Sequence, residues 1–490
     1  YCYQNHSYLR KMSHRILVVL ALLLVIVEGS CSASAKVPTQ VPASEIISRM
    51  AEGQPVYCEG ATIVGDIDLC ALPEARAKSV LSLINCTVAD ANFNGLTLEK
   101  DVIFLGTTFG NVSFTGTAFH QPAAFDGAKF LGFASFVDSQ FDKDSSFNDV
   151  EFRDVDFNYS KFGGYSFFSA ALFLGNASFS DVGFLGAADF SSAKFSREAN
   201  FIRSRFDDGA SFSGAFFGGP TKFGLSRFQG LCSFGDVTFA GEANFGLARF
   251  SDAAYFSGAQ FNDAAVFGLT KFEDIASFQG ASFADDLILK GALISTFLLE
   301  NGNYGRNARI ILNDSNIDRL KVHWREIKGH LLWDPGAYLA LVNNYRNLGW
   351  SSDEDDCYYQ YRRLNQEHKS LGWSKAIDAL AHLSCGYGVR PSYAVAWSLL
   401  TILIFALVFW LGDGIRRSAQ PLQGPAETYS LPEHVTFRNA IFFSTMIFLS
   451  QGPIDFLPVG RHRYYVILEG ILGWLLLALF LVTLGKVMIR

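Results

Sequence analysis

Near the C-terminal end of this 490-residue chain, the run Ser450-Gln451-Gly452-Pro453-Ile454-Asp455 interrupts a strongly apolar sequence, and Glu469 stands just inside the next apolar stretch. A Gly/Pro turn within apolar text suits a re-entrant pore loop, and an ionisable group just inside a predicted span is functional by default. Glu469 also has a plainer reading, as an ion-pair partner of Arg461 or Arg463 near an interface. Hydrolytic or transfer chemistry has no comparable footing. The chain has no phosphate loop, no G-x-S-x-G and no Cys-x-x-Cys pair, and its nine histidines are scattered. No enzyme activity, metal or cofactor is therefore expected. Of the cysteines after residue 36, Cys58 and Cys70 could pair in an oxidising compartment or stay as free thiols; Cys86, Cys232, Cys357 and Cys385 show no metal-ligand spacing. Asn85, Asn111, Asn158, Asn176 and Asn313 each open an N-x-Ser/Thr sequon and are candidate glycosylation sites.

The elements around the turn are apolar and of unequal length. Residues 393–411 and 464–484 are long enough to cross a bilayer, with aromatics near their ends. Between them, 437–449 is too short to cross. A half-length helix ending in a Gly/Pro turn between two spans is what a re-entrant loop requires, because irregular backbone at membrane depth must line a cavity or be buried in protein. Upstream, residues 331–390 read as a helical connector. Tyr338, Leu341, Val342 and Tyr345 recur at helical spacing, a first helix stops near Gly349, and a second starts at Ser351-Ser352 with four acidic residues in its first turns. A third amphipathic piece covers 374–383.

A rod precedes the connector. Between Phe104 and Phe283 phenylalanine recurs thirty-four times, at steps of mostly five and six residues, with a small or β-branched residue two positions earlier. No helix of 3.6-residue period produces this, whereas stacked coils sharing one core do. His120 and Cys232 occupy positions within the repeat and read as structural. Residues 91–330 form the repeat region, with irregular closing coils at 308–328. Residues 36–90 read as its N-terminal cap, including a helical patch at 74–83.

The spacing resembles the pentapeptide-repeat family in a phenylalanine-centred, eleven-residue variant. That resemblance implies a right-handed, roughly square β-helix with the aromatic and the small residue inward. Thirty-four faces at four per coil then give about 8.5 coils and a rod of roughly 40 Å. Residues 391–490 resemble the two-helix potassium-channel pore family. Gly452 falls on the first filter glycine, Asp455 on the acidic residue after the filter, and Pro458 and Gly460 on the trailing turn; Glu469, Gly473 and Ala478 match the inner helix. Pro453 replaces the filter aromatic, Ile454 the second glycine and Leu449-Ser450 the threonine pair, so a potassium-selective carbonyl filter is not what these residues would build. The fold class expected is thus a β-solenoid, an α-helical connector and a two-span membrane domain with a re-entrant loop.

Residues 12–35 have the basic start, apolar stretch and Ala-Ser-Ala site of a signal peptide, and residues 1–11 read as an upstream extension. With the rod exported, Arg416, Arg417, Arg438, Arg461 and Arg463 lie on the cytoplasmic side, as the excess of basic residues in inner loops requires. If residues 15–28 do not insert, the rod is cytoplasmic instead. A net charge of −7 argues against a nucleic-acid surface, and mixed rod charges such as Lys143, Arg203 and Arg227 argue against mimicry of duplex DNA. Two functions stay open. One is a channel-like membrane protein conducting cations as a homo-oligomer, a tetramer by resemblance. The other is a non-conducting envelope protein whose rod binds a surface partner while the helical hairpin anchors it.

Overall fold

The computed structural model describes residues 39–370, 372–417, 435–452 and 456–488. The signal-peptide expectation at 12–35 lies outside them, as do Pro453, Ile454 and Asp455.

From Thr39 to Lys321 the chain winds into a β-solenoid of about 13 turns, which at ~4.8 Å per turn makes a rod of roughly 60 Å. Each coil contributes one short strand to each of four parallel ladders. Ala118-Phe119 pairs with Gln140-Phe141 on one face, and Ala123-Ala124 pairs with Ser145-Ser146 on the next. The register advances 22 residues per coil in both cases. Because side chains alternate across a strand, one residue of each short strand must point inward. That fixed need, repeated four times per coil, is what sets the phenylalanine spacing.

The alternation of five and six comes from two kinds of corner. After Phe125 the chain turns by a type II turn. Ala128 N donates to Phe125 O at 2.9 Å, and Gly127 between them has φ 67°. Asp138, Asp149, Asp181, Ser192, Arg203, Leu225, Leu247 and Leu269 hold the equivalent left-handed position in later coils. The other corner, such as 120–122 after Phe119, uses one more residue and no positive φ.

Inside, the rings form stacks along each face and meet edge-on across the core. Phe212 lies 5.0 Å from Phe190 and 4.8 Å from Phe234 in near-parallel stacks, and meets Phe201 and Phe223 at 86° and 82°. All thirty-four ladder rings are buried, and each should contribute on the order of 1.5–3 kcal/mol.

The solenoid exceeds the 8.5 coils expected because the ladder continues at both ends with other apolar residues. Ile63, Leu69, Leu81, Leu83 and Val88 fill the core before the phenylalanines, and Leu289, Ile294, Leu299, Ile310, Leu312 and Leu320 fill it after them. The helical patch expected at 74–83 is instead coil. Its residues form the strands Arg76–Ala77 and Leu81–Ile84, paired with Thr97–Leu98 and, for Leu81 and Ser82, with Val102–Ile103. Local helix propensity is weak beside a ladder waiting to be extended. The covering of the first coil falls to helix α1 (Ala43–Ala51), which buries Ala43, Ile46 and Met50.

At the far end a single turn, α2 (Trp324–Ile327), leads into α3 (Pro335–Leu348), α4 (Ser351–His368) and α5 (Trp373–Cys385). Asp334 caps α3 by accepting from Ala337 N, and Gly349 ends it with φ 72°. Tyr338, Leu341, Val342 and Tyr345 of α3 and Cys357 of α4 are continuous with the solenoid core. Asn344 ties the joint by accepting from Leu320 N and donating to Leu320 O, both at 2.9 Å. His323 and Asp353 (2.9 Å) link the last coil to α4. Three apolar helices follow: α6 (Pro391–Leu411), α7 (Phe437–Phe448) and α8 (His462–Met488). The first and third are long and apolar enough to cross a membrane.

Candidate functional site

The three apolar helices owe their arrangement to α7, which is too short to match its neighbours. Thr436 caps its start by accepting from Asn439 N. The start lies beside the C-terminal end of α6, where Trp410 meets Phe437 at 5.4 Å. From there α7 runs back along α6. Phe443 packs edge-on against Phe409 (5.1 Å), and Ser444 Oγ approaches the Ile402 carbonyl at 2.9 Å. Its last residue, Phe448, sits against Gly473 of α8, where an added Cβ would collide with the Phe448 carbonyl. Gly473 lies eleven positions after His462 in α8, so α7 runs beside its two longer neighbours for roughly 16 Å.

The chain then returns. Ser450, with φ 58°, ends α7; Ser450 N donates to Ile447 O at 2.9 Å and Gln451 N to Met446 O at 2.8 Å. This is the left-handed helix stop that glycine usually serves. Further on, Phe456–Pro458 pairs antiparallel with Ile415–Arg417, the segment that follows α6. His462 packs against Gly412 and Gly414 at the same end. Thus 435–458 begins and finishes at one end of the α6/α8 hairpin. Arg416, Arg417, Arg438, Arg461 and Arg463 collect there too.

Glu469 is fully buried, whereas Arg461 and Arg463, its partners in the plainer of the two readings, are exposed. Its hydrogen-bond partner is the hydroxyl of Ser444, which donates to Oε1, while Oε2 has no partner among the described residues. Ser444 therefore joins all three helices, touching α6 through Ile402 and α8 through Glu469. Of the other pore candidates, Ser450, Gln451 and Gly452 lie together at the end of α7. They form one wall of an open groove of about 680 Å³, completed by Val466, Gly470, Ile471, Trp474 and Leu475 of α8. Gly470 and Gly473 of α8 have separate uses: Gly473 admits the end of α7, whereas Gly470 faces the groove with nothing within 4 Å of an added Cβ.

The sequons are scattered over the rod. Asn85, Asn111 and Asn176 are exposed, while Asn158 and Asn313 are half-buried. Asn158 accepts from Ser178 Oγ at 2.7 Å and Ser180 N at 2.7 Å, and Asn313 donates to Asp334 at 3.2 Å. The cysteines of the described residues are free thiols; Cys70 lies against Asn92 and Asn94, whereas Cys58 has Cys86 for a neighbour. Burial pushes the Cys232 thiol well up, in keeping with a structural role.

One cluster had no signal in the sequence. Where α4 and α5 meet the start of α6, Asp378 receives Arg362 (2.6 Å) and Lys369 (2.5 Å). Lys369 and Arg362 hold its carboxyl below the usual range. Arg362 also lies over the ring of Tyr387 at 5.1 Å, Tyr359 OH meets His382 Nε2 at 2.8 Å, and Arg390 bonds Asp356. Residues 362, 369, 378, 387 and 390 follow no single helical spacing, so only the packing of three segments brings them together. Among the described residues no group of His, Cys, Asp and Glu could hold a metal ion.

Comparison with known proteins bears on the rod. The family described as "Pentapeptide repeats (9 copies)" matches residues 114–161, 168–215, 201–248 and 245–293. No family match covers the three apolar helices. No curated protein and no solved structure matches the chain.

Proposed function

We propose that this pentapeptide-repeat solenoid stands on a membrane pore, formed when α6, α7 and α8 of several copies assemble around a common axis, and that the pore passes cations. One observation carries the reading. A half-length helix starts, and its return segment ends, at one end of a hairpin of two membrane-length helices, leaving Ser450, Gln451 and the backbone of Gly452 on an open groove. In lipid such backbone must be covered or must line water. A second copy set against the groove would do both, with Gly470 leaving room on the facing helix. A homo-oligomer is the assembly that offers the same groove repeatedly around a closed axis; the likeness to potassium-channel pores makes it a tetramer. The altered residues at 449–454 point to a cation path without potassium selectivity, and the orientation follows the five arginines, with the returning end of the hairpin cytoplasmic and the rod outside.

Full-length protein in planar bilayers should give discrete current steps, and Gly470→Trp, which fills the groove where a second copy would pack, should abolish them together with the oligomer while the single chain stays folded. Silent bilayers from a well-folded oligomer would refute conduction. Orientation is read by labelling Ser251→Cys, an exposed rod position, in intact cells, with Cys2, Cys31, Cys58 and Cys70 replaced by serine; protection from an impermeant reagent would put the rod inside.

A second reading rests on the rod surface. Three successive coils repeat Phe-Gly-Leu-x-Arg/Lys-Phe, at 223–228, 245–250 and 267–272. They place Leu225, Leu247 and Leu269 in one exposed column, beside the stacked cations Arg227, Arg249 and Lys271. In this reading the rod binds an envelope partner through that strip and the hairpin serves as an anchor. Replacing the three leucines by serine would then abolish attachment with no effect on any current.

A further inference from the structure

Helix α5 is amphipathic in the wrong sense for a helix of a water-soluble connector. Its charged and polar face is turned inward. Asp378 is buried against Arg362 and Lys369, His382 meets Tyr359, and Lys375 donates to the Lys369 carbonyl at 3.2 Å. Its apolar face is turned outward. Trp373, Ile377, Leu380 and Leu383 are 87%, 64%, 67% and 56% exposed. At 100° per residue the first three fall within about 60° of one another, and Asp378 and His382 lie on the opposite side. The core that usually receives such a stripe is missing because α4 has taken the polar side.

What covers the stripe is indicated by where it leads. Six residues after α5 the chain enters α6, one of the two membrane-length helices. Trp397 Nε1 on α6 donates to the Leu383 carbonyl at 2.6 Å, which holds the end of α5 against the second turn of α6. Leu383, Tyr393, Ala396, Trp397 and Leu400 line one apolar cleft, so the surface runs from α5 onto α6 without a polar break. Tyr393 and Trp397 are the ring types that settle at a membrane–water boundary.

We propose that α5 lies in the plane of the membrane surface, with Trp373, Ile377 and Leu380 in the lipid, so that the connector is docked on the bilayer rather than suspended above it. This rests on α6 spanning the membrane but not on any conduction. An amphipathic helix of this kind buries its apolar face about 5–10 Å into the headgroup and acyl boundary. The Asp378 cluster then works as a clamp: it fixes the polar side of α5 to α4, and through α4 to the rod, so that rod and lipid surface hold a set angle.

The test uses full-length protein in phosphatidylcholine vesicles, with Cys2, Cys31, Cys58 and Cys70 replaced by serine and a fluorophore placed on Ile377→Cys or, separately, on Leu403→Cys in the middle of α6. The label at 377 should be quenched by lipids brominated near the headgroup and protected from aqueous iodide, while the label at 403 is quenched by deeply brominated lipids. Iodide quenching at 377 with lipid quenching at 403 overturns the interfacial position and leaves the span intact. Protection of 377 from both quenchers means that protein covers the stripe, and overturns it equally. Iodide quenching at both sites overturns the span itself.

Discussion

The solenoid and the apolar helices are both built from large hydrophobic side chains, but they dispose of them in opposite directions. In the rod every ladder phenylalanine points inward and is covered by its equivalent one coil away. In α6 and α8 only 22% and 17% of the apolar stretch is buried, and the shared core is a small cluster around Phe405, Phe409, Ala440 and Phe443. A solenoid supplies its own apolar environment by repetition, and needs a cover only at its two ends. Among the described residues three helices of unequal length leave their apolar surfaces open, and α6 and α8 are long and apolar enough to find that environment in a membrane. One chain thus holds a part whose fold is complete in itself and a part whose fold is finished by its surroundings.

Truncating one ring on each side of this divide should give the largest contrast. Phe212→Ala removes a ring stacked on two neighbours and edge-on to three more, and should destabilise the rod by about 3–5 kcal/mol. Leu403→Ala removes an outward side chain of α6 and should leave stability in detergent within about 0.5 kcal/mol. Denaturant unfolding of the full chain, followed by limited proteolysis of the rod and of the hairpin, reads both. Equal losses would mean that α6 is packed against protein and the comparison is wrong.

The divide also explains what the sequence could announce. Phenylalanine at five- and six-residue steps is legible because one physical requirement, an inward side chain on each face, recurs with a fixed backbone geometry. The coils at 56–90 escape because Ile63, Leu69 and Leu83 meet the same requirement without a conspicuous residue type, and because 74–83 has a composition that also suits a helix. Helices α3 to α8 lie close to where periodicity and length place them. In the site, the turn at Ser450–Gly452 and the presence of a carboxylate at Glu469 within an apolar helix were legible as polar interruptions of apolar text. The Ser444 partner was not, nor was the Asp378 cluster, since both depend on helices meeting at distances that no local pattern encodes.

A second contrast lies within α8 itself. Gly473→Leu drives a side chain into the end of α7 and should cost about 1–3 kcal/mol, with loss of the oligomer or of any current. Gly470→Ala meets nothing within 4 Å and should preserve the isolated fold. Thermal melting and cross-linking in detergent separate the two. Stability unchanged by Gly473→Leu would show that α7 is not held where the contact puts it.

A smaller effect is expected at the joint between the two regions. With its carboxyl held below the usual range, Asp378 gives stability that is complete above the ordinary carboxylate value near 4 and is lost as the pH falls through its lower native value. The joint should therefore loosen only in strong acid, and Asp378→Asn should remove that pH dependence while leaving the rod's melting unchanged. Hydrogen exchange in α5 between pH 6 and pH 3 measures it. Loosening that begins near neutrality would assign the joint to another group.

The smallest effect tests whether the rod is as self-sufficient as its core suggests. Leu247 holds a left-handed position (φ 61°) at a type II corner, where leucine is disfavoured by about 1–2 kcal/mol. Glycine removes that strain but adds chain entropy to the unfolded state, of order 0.5–1 kcal/mol. If Leu247 is idle on the rod surface, these nearly cancel and Leu247→Gly should be neutral or stabilising by up to about 1 kcal/mol in denaturant. A loss of 1 kcal/mol or more would show that the leucine column holds successive coils together, as the lean of Leu269 over Gly291 suggests. Neutral stability is the more telling result, because three coils in succession would then carry a strained, exposed leucine that folding does not require, and the reason for the column would have to be sought in contact with something outside the rod.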